Sequence, residues 1–302
     1  MRADDDDEAP AAAANADPSG KPGTPRAPKA EAAPAAADPV LIGDDGTPAD
    51  ALATVQARHT LRVAVYRRFA PFHEDGQGGI DDDIAKELAH RLGVQVAVQS
   101  YMAADEMGDD FRNAIWKGHY MGMPVCDVML HVPVDEALSK ASPQVSIFGT
   151  YASEQTVVGY DGEQLSDWKG MESLGSLRAG VETESMPDLY MASLGGQYRS
   201  QVEHFPDLAE AVKAMKQGQL QVVIGSRTKL ESALGGNSDG RYRTAHFNAS
   251  VYGRALDLGM AVRKGEVRLQ TALAEAVAAM RQDGSFQRIY AQHSASWVAP
   301  GQ

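Results

Sequence analysis

The chain has 302 residues, of which 43% are hydrophobic, so it is long enough for two domains of ordinary size with a sizeable core. Its formal net charge of −13 argues against nucleic acid as a partner, because phosphate backbones select basic protein faces. The sequence contains no apolar run close to the roughly 18 residues of a membrane span, so we expect a protein that is not membrane-embedded.

Residues 1–50 form a segment of distinct composition. They hold eight of the fifteen prolines, long alanine tracts, and eleven acidic against four basic side chains. A segment of this kind buries too little apolar surface to offset the entropy lost on ordering. The sequence therefore predicts a disordered acidic tail over residues 1–50, followed by a globular region.

Strand and helix patterns alternate from about residue 51 onward. In the first helical pattern, Ile84, Leu88 and Leu92 share one face and Gly93 ends the period. The order β-α-β-α-β predicts a parallel sheet. The predicted elements are a strand at 61–66, a helix at 83–93, a strand at 94–101, a helix at 109–118 and a strand at 126–132.

A second series of the same kind follows a β-rich extended segment at 146–160. Ser185 is placed to cap one of its helices and Ser226 to cap another. The predicted elements are strands at 177–183 and 220–225, helices after Ser185, at 207–218 and after Ser226, then a strand at 256–265 and helices at 267–284 and 285–293.

The two series predict an α/β fold with two lobes, each a mainly parallel sheet flanked by helices. Two crossing strands would join the lobes as a hinge. We expect lobe I to comprise residues 51–150 plus 254–302, and lobe II to comprise residues 151–253. The carboxyl ends of the strands of both sheets should meet in a cleft between the lobes, where folds of this kind bind ligands.

Several segments of the chain, taken in order, carry a family resemblance. They are LRVAVY at 61–66, APFHEDGQGGIDDDIAKELAHRLGV at 70–94, CDVMLHV at 126–132, LRAGVETES at 177–185, MAVRKGE at 260–266 and AMRQDGSFQRIYAQH at 279–293. Together they resemble the type 2 periplasmic solute-binding proteins, in particular the family 3 group that includes amino-acid binders.

The resemblance implies a monomeric, non-catalytic periplasmic protein without a cofactor. Such a protein closes its two lobes on a small solute and delivers it to an ABC importer. The opening MRADDDDEAP has neither a basic n-region nor an apolar h-region, so we expect the signal peptide to be absent from this chain.

The chain departs from the amino-acid binders at the positions that hold the ligand in that family. They place an arginine just after the strand equivalent to 126–132, where it grips the ligand carboxylate, whereas this chain has Asp135 and Glu136 in that region and no arginine. They place an aspartate after the strand equivalent to 220–225 to hold the ligand ammonium, whereas this chain has Ser226 followed by Arg227. We therefore expect a solute other than a standard amino acid.

The cleft is the expected site of solute binding. Phe69 and Phe72 would provide an apolar wall from the first loop after a strand, and His73 and His131 would provide adaptable polar contacts. Glu182 and Glu184 precede a lobe II helix, whose N-terminus would otherwise favour an anion. They could repel an anionic group of the ligand or already occupy that site themselves. The predicted ligand-binding residues are Phe69, Phe72, His73, His131, Asp135, Tyr151, Glu184, Ser185, Ser226 and Arg227.

The segment CDVMLHVP at 126–133 further resembles a subgroup found beside quinoprotein alcohol dehydrogenases, including those of methanol-oxidation systems. That resemblance implies a second role, as the accessory partner of a periplasmic quinoprotein dehydrogenase. The loop 117–125 is longer than a usual connection, so either this loop or the acidic tail could make the contact. The predicted contact residues are His119, Tyr120, Met121 and Met123.

Histidines and methionines around this loop raise the question of a soft-metal site. The loop that holds His119 lies at the amino end of the strand 126–132, and His131 lies near the carboxyl end of that strand. Six strand residues at roughly 3.3 Å each separate Val125, at the end of the loop, from His131 by about 20 Å, so His131 and His119 cannot share one ion. A smaller copper(I) site formed by His119, Met121 and Met123 stays open, although apolar packing of these side chains is the simpler interpretation. We expect no metal.

Two further alternatives concern the first loop and the helix that follows it. The run Asp81–Asp83 could bind calcium, but acidic residues at a helix N-terminus need no ion. His73 and His131 could support general acid–base chemistry if they converge, and some relatives of this fold are dehydratases. A dehydratase-like enzyme is therefore the third hypothesis, after a binding protein and an accessory partner.

Overall fold

The computed structural model describes residues 50–235, 240–249 and 253–301, without the side chain of Gln197. The predicted tail over residues 1–50 therefore lies outside the described residues, apart from Asp50. Within the described ranges, no helix combines the length and the apolar character that crossing a bilayer requires.

The described residues form ten strands and nine α-helices. The strands are β1 (Thr60–Tyr66), β2 (Gln95–Tyr101), β3 (Val128–Pro133), β4 (Val145–Glu154), β5 (Thr156–Asp161), β6 (Ala179–Glu182), β7 (Val202–Phe205), β8 (Val222–Ser226), β9 (Tyr242–His246) and β10 (Leu256–Arg263). The α-helices are α1 (Ala51–Arg58), α2 (Ile80–Arg91), α3 (Met107–Phe111), α4 (Glu136–Ala141), α5 (Met186–Ser193), α6 (Leu208–Lys216), α7 (Arg227–Leu234), α8 (Val267–Gln282) and α9 (Ser285–Gln292).

Lobe I is built on a five-stranded sheet with the order β2-β1-β3-β10-β4. β1 pairs in parallel with β2 and β3, as the β-α-β-α-β series predicts. β10 pairs antiparallel with both β3 and β4. A strand from the last quarter of the chain therefore lies inside the sheet, between two strands from the first half.

Lobe II is built on a second five-stranded sheet with the order β7-β6-β8-β5-β9. β6 pairs in parallel with β7 and β8, whereas β5 pairs antiparallel with β8 and β9. The predicted fold class, two α/β lobes with helices on their sheets, is confirmed. The sheets are mixed and not mainly parallel as predicted, because each combines a parallel triplet with two antiparallel pairings.

Two pairs of consecutive described strands belong to different sheets. Only Gln155 separates β4 from β5, so one extended segment serves both sheets, as the pattern at 146–160 predicts. The return crossing lies between β9 and β10. The predicted lobe boundary between residues 150 and 151 falls inside β4, which stays paired with β10 as far as Glu154.

Several elements differ from the sequence predictions. The helix predicted at 109–118 is α3 followed by a π-helical turn at Arg112–Trp116. The strand predicted at 126–132 begins at Val128. The sequence did not predict α1, α4, β7 or β9; α4, β7 and β9 contain no fully buried residue, so they lack the periodic apolar pattern that indicates an element.

Each lobe has its own apolar core. In lobe I, Val63 and Leu130 of the sheet are buried against Ile84 of α2 and Leu273 of α8. In lobe II, one cluster on the sheet includes Val158, Val181 and Ile224. Cys126 belongs to a further buried cluster of lobe I, and burial raises the pKa of its thiol to about 12.

Candidate functional site

A cavity of about 690 Å³ lies at the meeting of the two lobes. Phe69 and Asp135 line it from lobe I, each in the loop that follows a strand. Glu182 and Ser226 line it from lobe II, each as the last residue of its strand. The cavity therefore occupies the place where this architecture brings strand carboxyl ends together.

Two helices of lobe II begin at the cavity wall. Ser185 caps α5 by accepting a hydrogen bond from the backbone N–H of Asp188, and Ser226 caps α7 by accepting one from the backbone N–H of Lys229. Both serines line the cavity. Each helix start contributes backbone N–H groups and the positive end of its dipole, which the capping oxygens partly satisfy.

Acidic side chains outnumber basic ones on the cavity wall. The charged lining residues are Asp135, Glu154, Glu182, Asp257, Lys229 and Arg254. Lys229 forms an ion pair with Glu182, and no partner of the exposed Arg254 is seen among the described residues. This balance favours a neutral or positively charged group over an anion at the wall.

Phe69 is the aromatic residue that faces the cavity from lobe I. Its ring stacks on Phe72, with centroids 5.1 Å apart, and meets the rings of His131 and Tyr66 edge-on at 4.8 and 6.0 Å. Phe72 is 1% exposed and lies behind Phe69. A Cβ atom on Gly79 would lie 2.2 Å from the carbonyl oxygen of Phe72, so this loop can lie against the start of α2 only with glycine there.

His131 lies in the layer behind Phe69 and does not line the cavity. Its φ of 60° coincides with a register shift between β3 and β10, at Gly259 and Ala261, which turns the side chain towards α2. Its backbone N–H donates a hydrogen bond of 3.0 Å to the Tyr151 hydroxyl. The histidine that the sequence predicts as a cleft contact thus lies beneath the aromatic wall, with a side chain that is 11% exposed.

Asp81 is the acidic side chain that faces His131, and the two form an ion pair when the imidazole is protonated. The Asp81 side chain is fully buried, and its Oδ2 atom lies 3.2 Å from Nδ1 of His131. The alignment does not make a hydrogen bond, so both carboxylate oxygens lack a hydrogen-bond partner among the described residues. A buried carboxylate without hydrogen bonds is costly, so its stability depends on the nearby imidazole.

The other members of the acidic run have different partners. Asp82 lies 2.8 Å from Nδ1 of His73, which is 7% exposed and is absent from the cavity wall. Asp83 contacts Lys86 and His293. The three carboxylates thus engage three separate sets of side chains, and within the described ranges no group of three or more His, Cys, Asp or Glu could hold a metal ion.

Arg227 lies at the hinge, and its side chain does not face the cavity. The residue is 7% exposed, and Nη2 donates a hydrogen bond to the carbonyl oxygen of Ser153 in β4. Its Nη1 donates to the carbonyl oxygen of Ser296 at 2.6 Å. The guanidinium that the sequence predicts in the ligand site is therefore committed to backbone carbonyls of β4 and of the C-terminal segment and to the Glu231 carboxylate of its own helix.

A segment that we call the C-terminal strap, residues 294–301, crosses this hinge. The Trp297 indole donates a hydrogen bond of 2.9 Å to the carbonyl oxygen of Tyr151, and its ring stacks on Phe286 at 5.8 Å. The backbone N–H of Ser296 donates to Glu231 of α7. The strap thus binds both lobes. Tyr151 itself is fully buried in this layer and does not reach the cavity, and burial raises its pKa well above the usual range.

Glu184 lies beside the cavity and is absent from its wall. It is exposed, with a φ of 61°, and its backbone N–H donates a hydrogen bond of 2.8 Å to Asp188. Of the ten ligand-binding residues predicted from the sequence, the cavity wall contains Phe69, Asp135, Ser185 and Ser226.

The sequence prediction missed Lys229. Its Nζ atom lies 2.9 Å from both carboxylate oxygens of Glu182 and 4.4 Å from the centroid of the Phe69 ring. The position of Lys229, one turn beyond the capping Ser226, was a usable signal, since a residue three positions into a helix projects near its start. Lys229 and Glu182 also line a second cavity of about 470 Å³.

The predicted partner-contact residues divide into two groups. Tyr120 and Met121 are 83% and 71% exposed, and the His119 ring lies 4.3 Å from that of Tyr120. Met123 instead packs against the buried cluster of lobe I that contains Cys126. The outward-facing part of the loop is therefore Tyr120 and Met121, supported by His119.

Two α/β lobes with a cavity at their facing strand ends define the two-lobed periplasmic-binding-protein fold of type 2. A solved structure of an ancestral cationic amino acid solute-binding protein superimposes with a TM-score of 0.63 at 19% identity, over 80% of this chain and 98% of that chain. An ancestral amino acid-binding protein described as a precursor of cyclohexadienyl dehydratase superimposes with a TM-score of 0.52 at 18% identity, over 81% of this chain and 99% of that chain. An amino acid ABC transporter substrate-binding protein from Streptococcus pneumoniae bound to L-arginine superimposes with a TM-score of 0.56 at 16% identity, over 83% of this chain and 100% of that chain.

These similarities are similarities of fold. No protein-family model matches the chain, and no curated protein matches it either.

Proposed function

We propose that this chain is a monomeric, non-catalytic binding protein of the periplasm that closes its two lobes on a small solute. The observation that carries the proposal is the 690 Å³ cavity, whose wall combines Phe69 and Asp135 of lobe I with Ser185 and Ser226 of lobe II. A solute that touches both walls binds the closed arrangement better than an open one, and this difference drives closure.

The solute that we propose is not a standard α-amino acid. Asp135 lies in the segment where the amino-acid binders resembled by this chain have an arginine, and its carboxylate would repel that of an amino acid. Arg227 donates to backbone carbonyls at the hinge and is not available as a substitute. A solute with a cationic or neutral polar end and an apolar portion for Phe69 fits the wall better.

A thermal-shift screen of periplasmic solutes tests the proposal. A ligand whose free concentration is one hundred times its Kd adds about 2.7 kcal/mol to the free energy of unfolding, and this increase raises Tm by several degrees. We expect a hit among organic cations or polyols, and we expect Phe69→Ala to remove the shift. Tyr120→Ala is the matched control, because it removes an aromatic ring outside the cavity. A broad panel without any shift would sink the proposal.

Delivery of the solute to an ABC importer is part of the same proposal. The Streptococcus pneumoniae protein of the same fold is a substrate-binding protein of an amino acid ABC transporter. We expect an importer to be recognised through the closed form, as a binding protein signals its loaded state by its conformation. Capture of an importer by the loaded form and not by the solute-free form would support this step.

A second candidate function is an accessory role beside a periplasmic quinoprotein dehydrogenase of the methanol-oxidising type. Exposed Tyr120 and Met121 favour it, since aromatic and methionine side chains are enriched at protein interfaces. Addition of the wild-type chain should change dehydrogenase activity, and a Tyr120→Ser, Met121→Ser variant should not. Unaltered activity and no complex with the wild type would count against the role.

A dehydratase-like activity is the third candidate, kept because one structure of this fold is of a precursor of cyclohexadienyl dehydratase. His73 and His131, the acid–base candidates, are both absent from the cavity wall. Non-catalytic binding is therefore the function that we favour. Turnover that is lost in His73→Ala or His131→Ala, with solute binding retained, would overturn that choice.

A further inference from the structure

Lys229 of lobe II reaches across the cleft to lobe I. Its Nζ atom lies 4.4 Å from the centroid of the Phe69 ring, while the same atom is 2.9 Å from each carboxylate oxygen of Glu182. The side chains of Lys229 and Glu182 are only 11% and 22% exposed. The ammonium is thus enclosed between a carboxylate of its own lobe and an aromatic face of the other.

The pair also lines both cavities of the cleft. Lys229 and Glu182 line the 690 Å³ cavity and also the 470 Å³ cavity that extends towards Arg68 and Asp207. The Lys229 side chain therefore forms part of the wall of both. Its withdrawal would expose Glu182 and the face of Phe69 to a solute.

A carboxylate opposite an aromatic face is a combination that binds cations. The ring quadrupole attracts a positive charge above its face, and the carboxylate adds a charge-assisted hydrogen bond. Phe69 is held in place for this contact, since Phe72 stacks on it and His131 and Tyr66 contact it edge-on. The site is therefore preorganised, and the group that fills it belongs to the protein.

We propose that Lys229 is an internal occupant of a cation site formed by Glu182 and Phe69, and that it latches the two lobes together until a positively charged solute displaces it. The inference rests on the proposed solute-binding function and narrows the solute to an organic cation, such as an ammonium or a guanidinium. Lysine suits the exchange because its flexible stem can swing a strongly hydrated ammonium into water.

The latch has two measurable consequences. A solute cation has to displace Lys229, so it binds only those molecules in which the lysine has left the site. The apparent affinity of the wild type for the cation is therefore lowered in proportion to the fraction of molecules with an empty site. A partly desolvated cation–π contact corresponds to about 3- to 30-fold in affinity, which sets the expected gain when the lysine charge is removed. Without any solute, loss of the contact between Lys229 and Phe69 should shift the lobes towards a more open arrangement.

Lys229→Gln tests both consequences, with Lys213→Gln as the matched control. Lys213 also pairs with a glutamate, Glu210, but on the exposed surface of α6. Small-angle X-ray scattering without added solute gives the radius of gyration. Isothermal titration with n-butylammonium and n-butylguanidinium gives the affinity, and n-butanol serves as the uncharged probe.

We expect Lys229→Gln to have a larger radius of gyration than the wild type and to bind n-butylammonium or n-butylguanidinium about 3- to 30-fold more tightly, with n-butanol unaffected. Lys213→Gln should match the wild type in both. An unchanged radius, or an unchanged cation affinity, overturns the proposal. If Lys229→Gln does not fold, Phe69→Leu serves instead, because it removes the aromatic face that Lys229 contacts in the other lobe. It should enlarge the radius and weaken cation binding, and retention of the wild-type radius overturns the latch.

A failure of the latch can be distinguished from a failure of the proposed solute-binding function. The scattering comparison needs no natural solute, so an unchanged radius rejects the latch even where the wild type closes on a solute from the screen. Conversely, an enlarged radius with cation binding confined to Lys229→Gln supports the latch, while a wild type that binds no solute in the screen rejects the transport role.

Discussion

Nη1 of Arg227 donates a 2.6 Å hydrogen bond to the carbonyl oxygen of Ser296, which joins the first residue of a lobe II helix to the C-terminal strap. The other guanidinium arm donates to the carbonyl of Ser153 in β4, so one side chain holds the crossing strand and the strap together. An arginine that looks like a ligand contact in the sequence is thus a structural part of the hinge.

Arg227→Ala should lower the free energy of unfolding by about 1–3 kcal/mol, because it leaves the carbonyls of Ser296 and Ser153 without their buried donor. Urea unfolding monitored by tryptophan fluorescence measures the change. Arg199→Ala is the control, since Arg199 is exposed. Equal losses in the two variants would contradict the hinge role.

At a pH where the imidazole is protonated, His131→Ala should destabilise the protein by about 3–5 kcal/mol, because it leaves the buried Asp81 carboxylate without its ion-pair partner. Adding Asp81→Asn to that variant removes the unpaired charge, so we expect the double variant to be more stable than His131→Ala alone. Urea unfolding of the four proteins forms a double-mutant cycle. Additive losses would show that the two side chains do not depend on each other.

Asp283 should make the stability depend on acid pH. Hydrogen bonds from Ser285 and Arg91 lower the pKa of this carboxyl from 3.8 to about 2. Since the folded-state pKa is depressed, the stabilisation is present above the unfolded-state pKa and is lost as pH falls from about 4 to 2. Asp283→Asn should therefore be less stable than the wild type at pH 6, with a smaller difference at pH 3.

The measurement for Asp283 is urea unfolding at a series of pH values. Asp105→Asn removes an exposed carboxylate instead and should leave the profile unchanged. A difference between Asp283→Asn and the wild type that stays constant from pH 6 to pH 3 would rule out the assigned cause.

Cys126 should report unfolding of lobe I. Burial raises the pKa of its thiol to about 12, so the thiolate that reacts with a disulfide reagent is scarce in the folded protein. We expect labelling by 5,5′-dithiobis(2-nitrobenzoate) at pH 8 to be slow in buffer and fast in urea, with the change at the unfolding midpoint. Rapid labelling in buffer would contradict a core position.

The fold was predictable because its signals are local. The apolar face of Ile84, Leu88 and Leu92 and the cap positions of Ser185 and Ser226 depend on neighbours within one or two turns. These signals fixed the type and order of most elements. They did not fix the antiparallel position of β10, because nothing in its own residues states which strands it joins.

The site was less predictable because its decisive contacts are distant in sequence. Arg227 and Ser296 are 69 positions apart, and Lys229 and Glu182 are 47 positions apart. Strand ends correctly indicated where Phe69 and Ser226 would lie. No local pattern shows that the shift in the β3 ladder turns His131 away from the cavity, because that depends on the register of β10.

The place of β10 between β3 and β4 also sets the order in which the lobes can form. The strands described in lobe II lie in one continuous stretch, β5 to β9, so this lobe can build its sheet as soon as that stretch has been synthesised. The sheet of lobe I cannot be completed before residues 256–263 have been synthesised, and the facing edges of β3 and β4 stay unpaired until β10 is in place. A chain still growing on the ribosome therefore carries an unfinished first lobe until these residues have been synthesised.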